Sequence, residues 1–203
     1  MPNGTLDRRR SALHDLQREH IVEGFAAAAL DRSYAQATIS DIVRVAQVSK
    51  STFYEHFVDK EAVYLHLHGA VQAAVTRALR GSIEHTARES EWRVRAGHAV
   101  GAYLGCMASK PTHLAQVRIE PQVASAASRT ARAEAGQQFG ELIQTLAQRL
   151  ISRPDIDILP DALVRAGLAG TLALVAAAAE AGPEEVQALE PVVTELWIRL
   201  TRA

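Results

Sequence analysis

The sequence predicts an all-α fold, and three features of its composition and patterning support that prediction. Alanine, which has the highest helix propensity and is depleted in strands, occurs 37 times in 203 residues. Aromatic residues, which favour strands, make up only 5% of the chain. Apolar residues recur at spacings of three and four, the period of an amphipathic helix. The apolar fraction of 48% is ordinary for a globular protein and excludes a disordered chain.

Cysteine content and charge limit the cellular setting and the kind of nucleic-acid contact. The one cysteine, Cys106, cannot form an intrachain disulfide, so we expect a reducing, cytoplasmic location. Residues 1–10 are polar with no apolar segment behind them, and the longest apolar run, 172–179, is too short to span a membrane. The net charge is −1, so any nucleic-acid site must depend on a few well-placed cations.

Four helices are predicted in the N-terminal part of the chain. Apolar residues at spacings of three, four and seven from Val22 predict a long first helix. Thr38 and Ser40 both fit the N-cap of the first of two very short helices, Ser49 fits the N-cap of the second, and Gly81 is expected to end the fourth helix. The four predicted helices cover 7–31, 40–47, 51–57 and 59–80.

Five further helices are predicted in the rest of the chain, giving about nine in all. Pro111 and Pro121 separate three of them, because the residue before a proline avoids the helical region. An acidic loop is expected between Pro154 and Pro160, and Pro183 fits the start of the last helix. The five predicted helices cover 91–109, 112–119, 123–152, 161–181 and 184–201.

The two short helices and the turn between them carry the most specific functional pattern. Burial of Phe53 and Phe57 leaves an outward face of small, hydroxylated and basic side chains on the second short helix. Small residues allow close approach to DNA and hydroxyl groups bond phosphates, so this face suits a helix in the major groove. Lys60, at the start of the next helix, is placed for a phosphate contact. The outward face consists of Lys50, Ser51, Thr52, Tyr54, Glu55 and His56.

Residues 38–65 read TISDIVRVAQVSKSTFYEHFVDKEAVYL, and this segment resembles the DNA-binding signature of the TetR family of bacterial transcriptional repressors. The family pattern is approximately T-x-x-D-I-A-x-x-A-G-V-S-x-G-T-L-Y-x-H-F-x-x-K-E-x-L. So many matches in register make the resemblance specific. The chain departs from the pattern at Gln47 and Ser51, where the family has glycine, and at Phe53, where it has leucine. The matches are Thr38, Asp41, Ile42, Ala46, Val48, Ser49, Thr52, Tyr54, His56, Phe57, Lys60 and Glu61.

The resemblance implies a division of the chain and a DNA-binding site. Residues 1–58 would form a three-helix helix-turn-helix domain and residues 59–203 a ligand-binding and dimerisation domain. Three alternatives stay open. Ser49 serves only as a cap, His56 only packs under Tyr54, and the arginines at 8–10 form a solvated tail rather than reaching DNA. Phosphate contacts are implied for Thr38, Ser49, Tyr54, His56 and Lys60, and base-facing positions for Lys50, Ser51, Thr52 and Tyr54.

The resemblance also implies a small-molecule pocket among the central helices. Few charges fall on the apolar stripes of these helices, so a moderately apolar ligand is expected. The alternative is that the aromatic and sulfur-containing residues are ordinary core. The candidate ligand-binding residues are Trp92, His98, Tyr103, Cys106, Met107 and Phe139.

Apolar stripes on the last two long helices predict a homodimer. Large residues recur at spacings of four, three and four in the last helix, and small residues in the helix before it permit close approach. Two copies packed as a four-helix bundle would bury both stripes and present two groove helices to a palindromic operator. The alternative is that both stripes pack inside one subunit. The predicted interface is Leu163, Gly167, Gly170, Leu174, Leu189, Val193, Leu196 and Leu200.

The sequence shows none of the common catalytic or metal-binding patterns. It contains no P-loop, no G-x-S-x-G and no G-x-G-x-x-G, and His66 and His68 are two apart on a helix and point to different faces. We therefore predict a protein that is not an enzyme and uses no cofactor or metal. The predicted function is a TetR-like repressor that a small-molecule effector releases from double-stranded operator DNA. A helical protein–protein adaptor without DNA binding is the alternative.

Overall fold

A computed structural model of the protein describes residues 3–85, 91–123, 125–151 and 160–200. In those residues the chain forms ten α-helices and one short 3-10 turn, Glu120–Gln122, and no strand, which confirms the all-α prediction. The helices are α1 (Asn3–Arg32), α2 (Ile39–Ala46), α3 (Lys50–His56), α4 (Lys60–His85), α5 (Trp92–Ala108), α6 (Pro111–Ile119), α7 (Ala126–Ile151), α8 (Asp161–Ala178), α9 (Pro183–Gln187) and α10 (Glu190–Leu200).

Among the helix boundaries that differ from the sequence prediction, two have a clear physical reason. Helix α4 continues through Gly81 to His85, because a glycine inside a helix costs only about 1 kcal/mol and does not break it. The predicted last helix is divided into α9 and α10. Pro191 lies in the first turn of α10 and has no N–H to continue the hydrogen bonding of α9, so a new helix starts there. The predicted acidic loop between Pro154 and Pro160 lies outside the described residues.

Helices α1, α2 and α3 pack closely at the N-terminal end. Ile21 and Phe25 of α1 contribute to a buried cluster with Ile42 of α2 and Phe53 of α3. The α1–α2 contact depends on Gly24, where an added Cβ would lie 2.7 Å from the carbonyl oxygen of Ile42. Glycine is required at this crossing because any larger residue would push the two backbones apart.

Helix α4 connects this three-helix unit to the rest of the chain. Val63, Tyr64 and Leu67 are fully buried and belong to the same cluster as Phe25. Helix α6 also packs against α1. The core is therefore continuous across the implied division at residues 58 and 59, so a change near α4 or α6 is transmitted to α1 by direct packing.

The stripes predicted to form a dimer seam pack against each other inside this chain. A Cβ on Gly167 would lie 2.9 Å from Cη2 of Trp197 and 2.8 Å from Cδ1 of Leu200. Val193 is buried, and Leu196 contacts the backbone position of Gly170. Small residues of α8 thus face large residues of α10 within one chain. Gly167 and Val193 are buried and the other six predicted seam residues are partly exposed, so the dimer seam stays a prediction for Leu163, Gly167, Gly170, Leu174, Leu189, Val193, Leu196 and Leu200.

The opposite side of α8 is an exposed apolar face. By length and composition this 18-residue helix is apolar enough to cross a membrane, with a mean hydropathy of 1.5, and only 22% of it is buried. Leu172 is 41% exposed, and Val192 of the neighbouring α10 is 57% exposed. We call this surface the α8 face; its exposed residues are Ala162, Arg165, Ala166, Ala169, Leu172, Ala173 and Ala177, with Val192 beside them, so one arginine lies in an otherwise apolar surface.

Candidate DNA-binding face and ligand cavity

The turn between α2 and α3 has the geometry of a helix-turn-helix with a non-glycine residue at its strained position. Gln47 adopts the left-handed conformation, with φ 55° and ψ 38°, and its backbone N–H bonds the carbonyl oxygen of Val43. The N–H of Val48 bonds the same oxygen at 3.2 Å. These bonds close the end of α2 as a glycine would, at a cost of roughly 1 kcal/mol for the side chain.

Thr38 begins α2 with a capping box. Its hydroxyl accepts a hydrogen bond from the backbone N–H of Asp41 and donates to Oδ2 of the same residue at 2.7 Å. That hydroxyl bond, with a backbone bond from Thr38, lowers the pKa of the Asp41 carboxyl, and Arg32 and Arg44 lower it further. The Asp41 carboxylate thus forms ion pairs with Arg32 and Arg44 on the side of the molecule that carries α2.

Ser49 begins α3 in the same way. Its Oγ accepts a hydrogen bond from the N–H of Thr52 at 3.0 Å and also lies 2.7 Å from Oγ of Ser51 and 2.9 Å from Oγ1 of Thr52. The three hydroxyl groups form one connected patch at the N-terminus of α3. Ser49 is therefore a cap, and its exposure leaves room for a further contact.

The outward face of α3 is open to a partner. Lys50, Ser51 and Tyr54 are exposed, and Thr52 is partly exposed. The Tyr54 ring is 55% exposed and packs edge-on against the buried ring of Phe53, with centroids 5.4 Å apart. The structure thus brings together the side chains that the sequence pattern placed on the groove-facing surface.

Lys60 does not project toward this face. Its Nζ donates to the carbonyl oxygens of Tyr34 at 2.7 Å, Ala35 at 3.2 Å and Ala37 at 3.1 Å. It also lies 4.6 Å from the centroid of the Tyr34 ring. An ammonium group has three protons, and all three are engaged. Its side chain holds the turn between α1 and α2, and the phosphate contact of Lys60 stays a prediction.

His56 packs on α1 rather than under Tyr54. Its ring centroid lies 4.1 Å from that of His14, and its Nε2 lies 3.5 Å from Oε1 of Gln17. Burial lowers the pKa of His56, and the nearby His14 and Arg18 lower it further. The three arginines at 8–10 lie in the first helix and are exposed, so they form a helical surface rather than an irregular tail.

A largely apolar cavity of about 210 Å³ lies among the helices of the larger half of the chain. It receives side chains from six helices and from the 3-10 turn at Glu120. Four of the ten aromatic residues of the protein line it, including both tryptophans. The aromatic and polar lining residues are His68, Gln72, Trp92, Tyr103, Gln116, Glu120, Arg132, Phe139, Thr171 and Trp197.

The predicted ligand-binding residues divide into two groups. Trp92, Tyr103, Met107 and Phe139 line the cavity, and the rings of Tyr103 and Phe139 lie 6.3 Å apart. His98 is exposed and Cys106 is partly buried, and the structure brings neither to the lining. Burial raises the pKa of the Cys106 thiol. These two residues share helix α5 with the lining residues but point from other sides of it.

One end of the cavity carries a polar cluster that the sequence patterns did not indicate. His68 is 4% exposed and Gln116 is 3% exposed. The side-chain nitrogen of Gln116 lies 3.0 Å from Nδ1 of His68 and donates to Oε2 of Glu120 at 2.6 Å. Arg132 donates to the carbonyl oxygen of Glu120 at 2.7 Å. The one signal in the sequence is a histidine on the same helical stripe as Tyr64, Val71 and Val75.

A chain of aromatic contacts leads from the polar cluster toward the helix-turn-helix unit. The ring of His68 stacks on Tyr64 with centroids 5.9 Å apart, and Tyr64 meets Tyr34 edge-on at 6.4 Å. The backbone N–H of Tyr34 donates to Oε1 of Gln122 at 2.8 Å, and the Tyr34 ring faces the ammonium group of Lys60. Tyr34 is therefore in contact with both halves of the chain.

Comparison with known proteins identifies the N-terminal part of the chain. Residues 21–67 match the family model described as bacterial regulatory proteins, tetR family. A curated protein, the HTH-type transcriptional repressor DhaR of Mycobacterium sp. (strain GP1), is 42% identical over 45 residues. That match covers 22% of this chain and 23% of the DhaR sequence, so it is confined to the same region.

Solved structures share the fold over nearly the whole chain. The fatty acid degradation regulator FadR from Bacillus halodurans has a TM-score of 0.74 at 18% identity, covering 89% of this chain and 93% of that one. FadR from Bacillus subtilis, solved in complex with stearoyl-CoA, has a TM-score of 0.72 at 18% identity, with coverage of 90% and 97%. Regulatory protein TetR from Rhodobacter sphaeroides has a TM-score of 0.68 at 18% identity, with coverage of 89% and 98%.

The matched segment includes α2, α3 and the strained turn between them. These elements carry the capped, exposed face described above. Residues 21–67 of this chain are therefore similar to the helix-turn-helix segment of bacterial regulatory proteins of the tetR family, and the chain shares the all-α fold of the solved structures named above.

Proposed function

We propose that this protein is a cytoplasmic repressor that binds a palindromic DNA operator as a homodimer and releases it when a small molecule occupies the central cavity. The observation that carries the proposal is the exposed face of α3 within the matched helix-turn-helix domain. In this proposal residues 1–58 bind DNA and residues 59–203 bind the effector and the second copy.

The DNA-binding part of the proposal is supported by the chemistry of α3. Lys50, Ser51 and Tyr54 present a cation, a hydroxyl and an exposed phenol, which bond base edges and phosphates in the major groove. Thr38 and Ser49 contribute as helix N-caps, and Thr38, Ser49 and Thr52 all retain hydroxyl groups near the same surface. Lys60 and His56 act from behind the face, by holding the turn after α1 and by packing on α1.

The effector part of the proposal is supported by the cavity. Its apolar, aromatic lining suits a mostly apolar molecule, and a few polar groups converge at one end, as in ordinary ligand sites. The Bacillus subtilis FadR structure shows that the same fold accommodates a small molecule, stearoyl-CoA. In this chain Trp92, Tyr103, Met107 and Phe139 contact the effector, and Trp197 joins them.

The homodimer part of the proposal is supported by the α8 face. An apolar surface of this kind is costly in water unless a partner covers it. A twofold-related copy of α8 would cover the exposed alanines and Leu172, so association of two chains in water accounts for the apolar composition of this helix. The two α3 helices would then meet two mirrored half-sites on the operator.

The DNA contact is tested on fragments selected from genomic DNA by the purified protein. Tyr54→Ala should weaken binding to a selected fragment by roughly 1–3 kcal/mol, the loss expected for one specific base contact. Arg199→Ala, which removes an exposed charge from α10, is the control and should bind as the unaltered protein does. If no fragment binds in a gel-shift assay, the protein is an adaptor rather than a repressor.

The dimer is tested on the α8 face. Ala173→Arg adds a charge to an exposed position of α8, where a monomer tolerates it, and should give a monomer that has lost operator binding. Ala133→Arg adds the same charge to an exposed position of α7 and should leave the dimer intact. Sedimentation velocity at micromolar concentration distinguishes the two outcomes. A dimeric Ala173→Arg protein would place the interface on another surface.

A further inference from the structure

The polar cluster at the end of the cavity fixes the position of one proton. A single atom of Gln116 lies within hydrogen-bonding distance of both His68 Nδ1 and Glu120 Oε2. A carboxylate oxygen accepts hydrogen bonds only, so this atom must be the amide nitrogen and not the amide oxygen. The nitrogen donates to Nδ1 of His68 as well, so Nδ1 is the acceptor and the ring proton lies on Nε2.

The proton on Nε2 has no well-aligned acceptor among the described residues. Nε2 of His68 is buried and makes no hydrogen bond of normal geometry with another described residue. Burial is the largest influence and lowers the pKa of His68, while Glu120 and the backbone of Ala131 raise it; the net lowering leaves the ring neutral near pH 7. The backbone contact with Ala131 is therefore weak, and an acceptor that arrives in good geometry would stabilise the buried donor.

The size and the charges of the cavity limit which molecule can carry that acceptor. About 210 Å³ is below the usual range of roughly 300–1,000 Å³ for drug-sized ligands, so the occupant is compact. Glu120 and Arg132 place one negative and one positive group at the same end, so the cavity offers no excess charge. The aromatic side chains that line the cavity suit an apolar body.

We propose that the effector is a compact, mostly apolar molecule with a carbonyl-type oxygen, and that Nε2–H of His68 donates to this oxygen. This inference rests on the proposed function, because only a regulator has an effector, but binding of the molecule itself does not require DNA. His68 stacks on Tyr64, and Tyr64 meets Tyr34 edge-on, so a molecule bound to His68 changes the packing next to the helix-turn-helix domain.

The test uses two probes of one shape. Acetophenone carries a carbonyl oxygen, and α-methylstyrene has a methylene group in its place. The ratio of their dissociation constants is measured for the full-length protein and for His68→Phe, so that the different hydrophobicity of the probes cancels. The preference for acetophenone should fall about tenfold in His68→Phe, which corresponds to about 1.4 kcal/mol. Benzoate, measured in parallel, shows whether a carboxylate serves as well as a neutral carbonyl.

Tyr64→Phe is the matched control. It removes a neighbouring buried hydroxyl that also lacks a partner but does not line the cavity, so the ratio should stay unchanged. An unchanged ratio in His68→Phe, or a fall in Tyr64→Phe alone, would overturn the assignment. So would the failure of both probes to bind the unaltered protein.

A second measurement does not depend on the folding of a variant. Acetophenone labelled with ¹³C at the carbonyl should show a downfield shift of that resonance in the bound state, because the oxygen accepts a hydrogen bond. A bound probe without this shift contradicts the proposal. Both measurements are made without DNA, so a protein that binds the probes as expected and selects no operator disproves the proposed function alone.

Discussion

Side chains of the helix-turn-helix are held by neighbours in sequence, whereas the cavity is assembled from distant parts of the chain. Thr38 and Ser49 each cap a helix through a residue three positions away. The polar end of the cavity joins His68 of α4 with Gln116 of α6 and Arg132 of α7. A short sequence segment therefore specifies the first surface, and only the packing of helices specifies the second.

The two regions also differ in how their charged groups are used. Asp41 lies near the surface, with its side chain 15% exposed and paired with two arginines, so a change there affects a surface. His68 is buried with a donor that has no well-aligned partner, so a change there affects the interior of the protein. Lys60 links the two regions, because it starts α4 and holds the turn between α1 and α2. Three experiments separate these local and long-range effects.

The largest expected effect comes from the α1–α2 crossing. Gly24→Ala places a methyl group 2.7 Å from a backbone oxygen, so the free energy of unfolding should fall by about 3 kcal/mol, the upper end of typical overpacking costs. Gly69→Ala is the matched control, since its Cβ would meet nothing within 4 Å. It should raise the unfolding free energy by up to about 1 kcal/mol through helix propensity. Equal urea midpoints for the two variants would contradict the close approach.

An intermediate effect is expected at Lys60. Lys60→Ala leaves three carbonyl oxygens without their donor, so the free energy of unfolding should fall by about 2 kcal/mol. The dependence of operator binding on salt should keep its slope, because no phosphate contact is lost. Lys50→Ala should show the reverse, with normal stability and weaker DNA binding. A salt slope lowered by about one unit in Lys60→Ala would support the phosphate role.

The smallest effect concerns the pH dependence of stability. Burial lowers the pKa of His68 below its unfolded value of about 6.5, so the unfolded chain binds more protons. The contribution of this residue to stability is complete above pH 6.5 and is lost as the pH falls toward the lowered pKa, by at most about 1.4 kcal/mol per pH unit.

His68→Phe should therefore show a shallower loss of unfolding free energy between pH 7 and pH 5 than the unaltered protein, measured by urea unfolding. The pKa values of His56 and His66 are also lowered, but these residues are present in both proteins and cancel in the difference. Identical slopes would mean that folding does not lower the pKa of His68, which would contradict the desolvated, buried ring.

The helix-turn-helix was predictable almost to the residue. The two short helices were expected over 40–47 and 51–57 and are found at Ile39–Ala46 and Lys50–His56. Their caps, their buried phenylalanines and their exposed face all follow from the order of residues within a few positions. Gln47 reached the left-handed conformation that glycine has in the family pattern, since the surrounding hydrogen bonds compensate for its side chain.

The cavity was predictable only in part. Aromatic residues at helical spacing on α5 and α7 indicated Trp92, Tyr103 and Phe139, but the same pattern also suggested His98 and Cys106, which the structure places elsewhere. His68 was considered only as a metal ligand, because its partners Gln116 and Glu120 are about 50 residues away in sequence. No local pattern connects residues at that separation.

The sequence by itself determined the helices, the turn at Gln47 and the exposed side chains of α3, because helix period, capping and left-handed turns depend on interactions within a few residues. Only the tertiary structure decided that Lys60 bonds carbonyl oxygens, that Gly167 of α8 meets Trp197 and Leu200 of α10, and that His68 keeps a buried donor without a well-aligned partner. Each of these depends on which distant groups meet, and burial, steric fit and hydrogen-bond pairing are settled only when the helices pack.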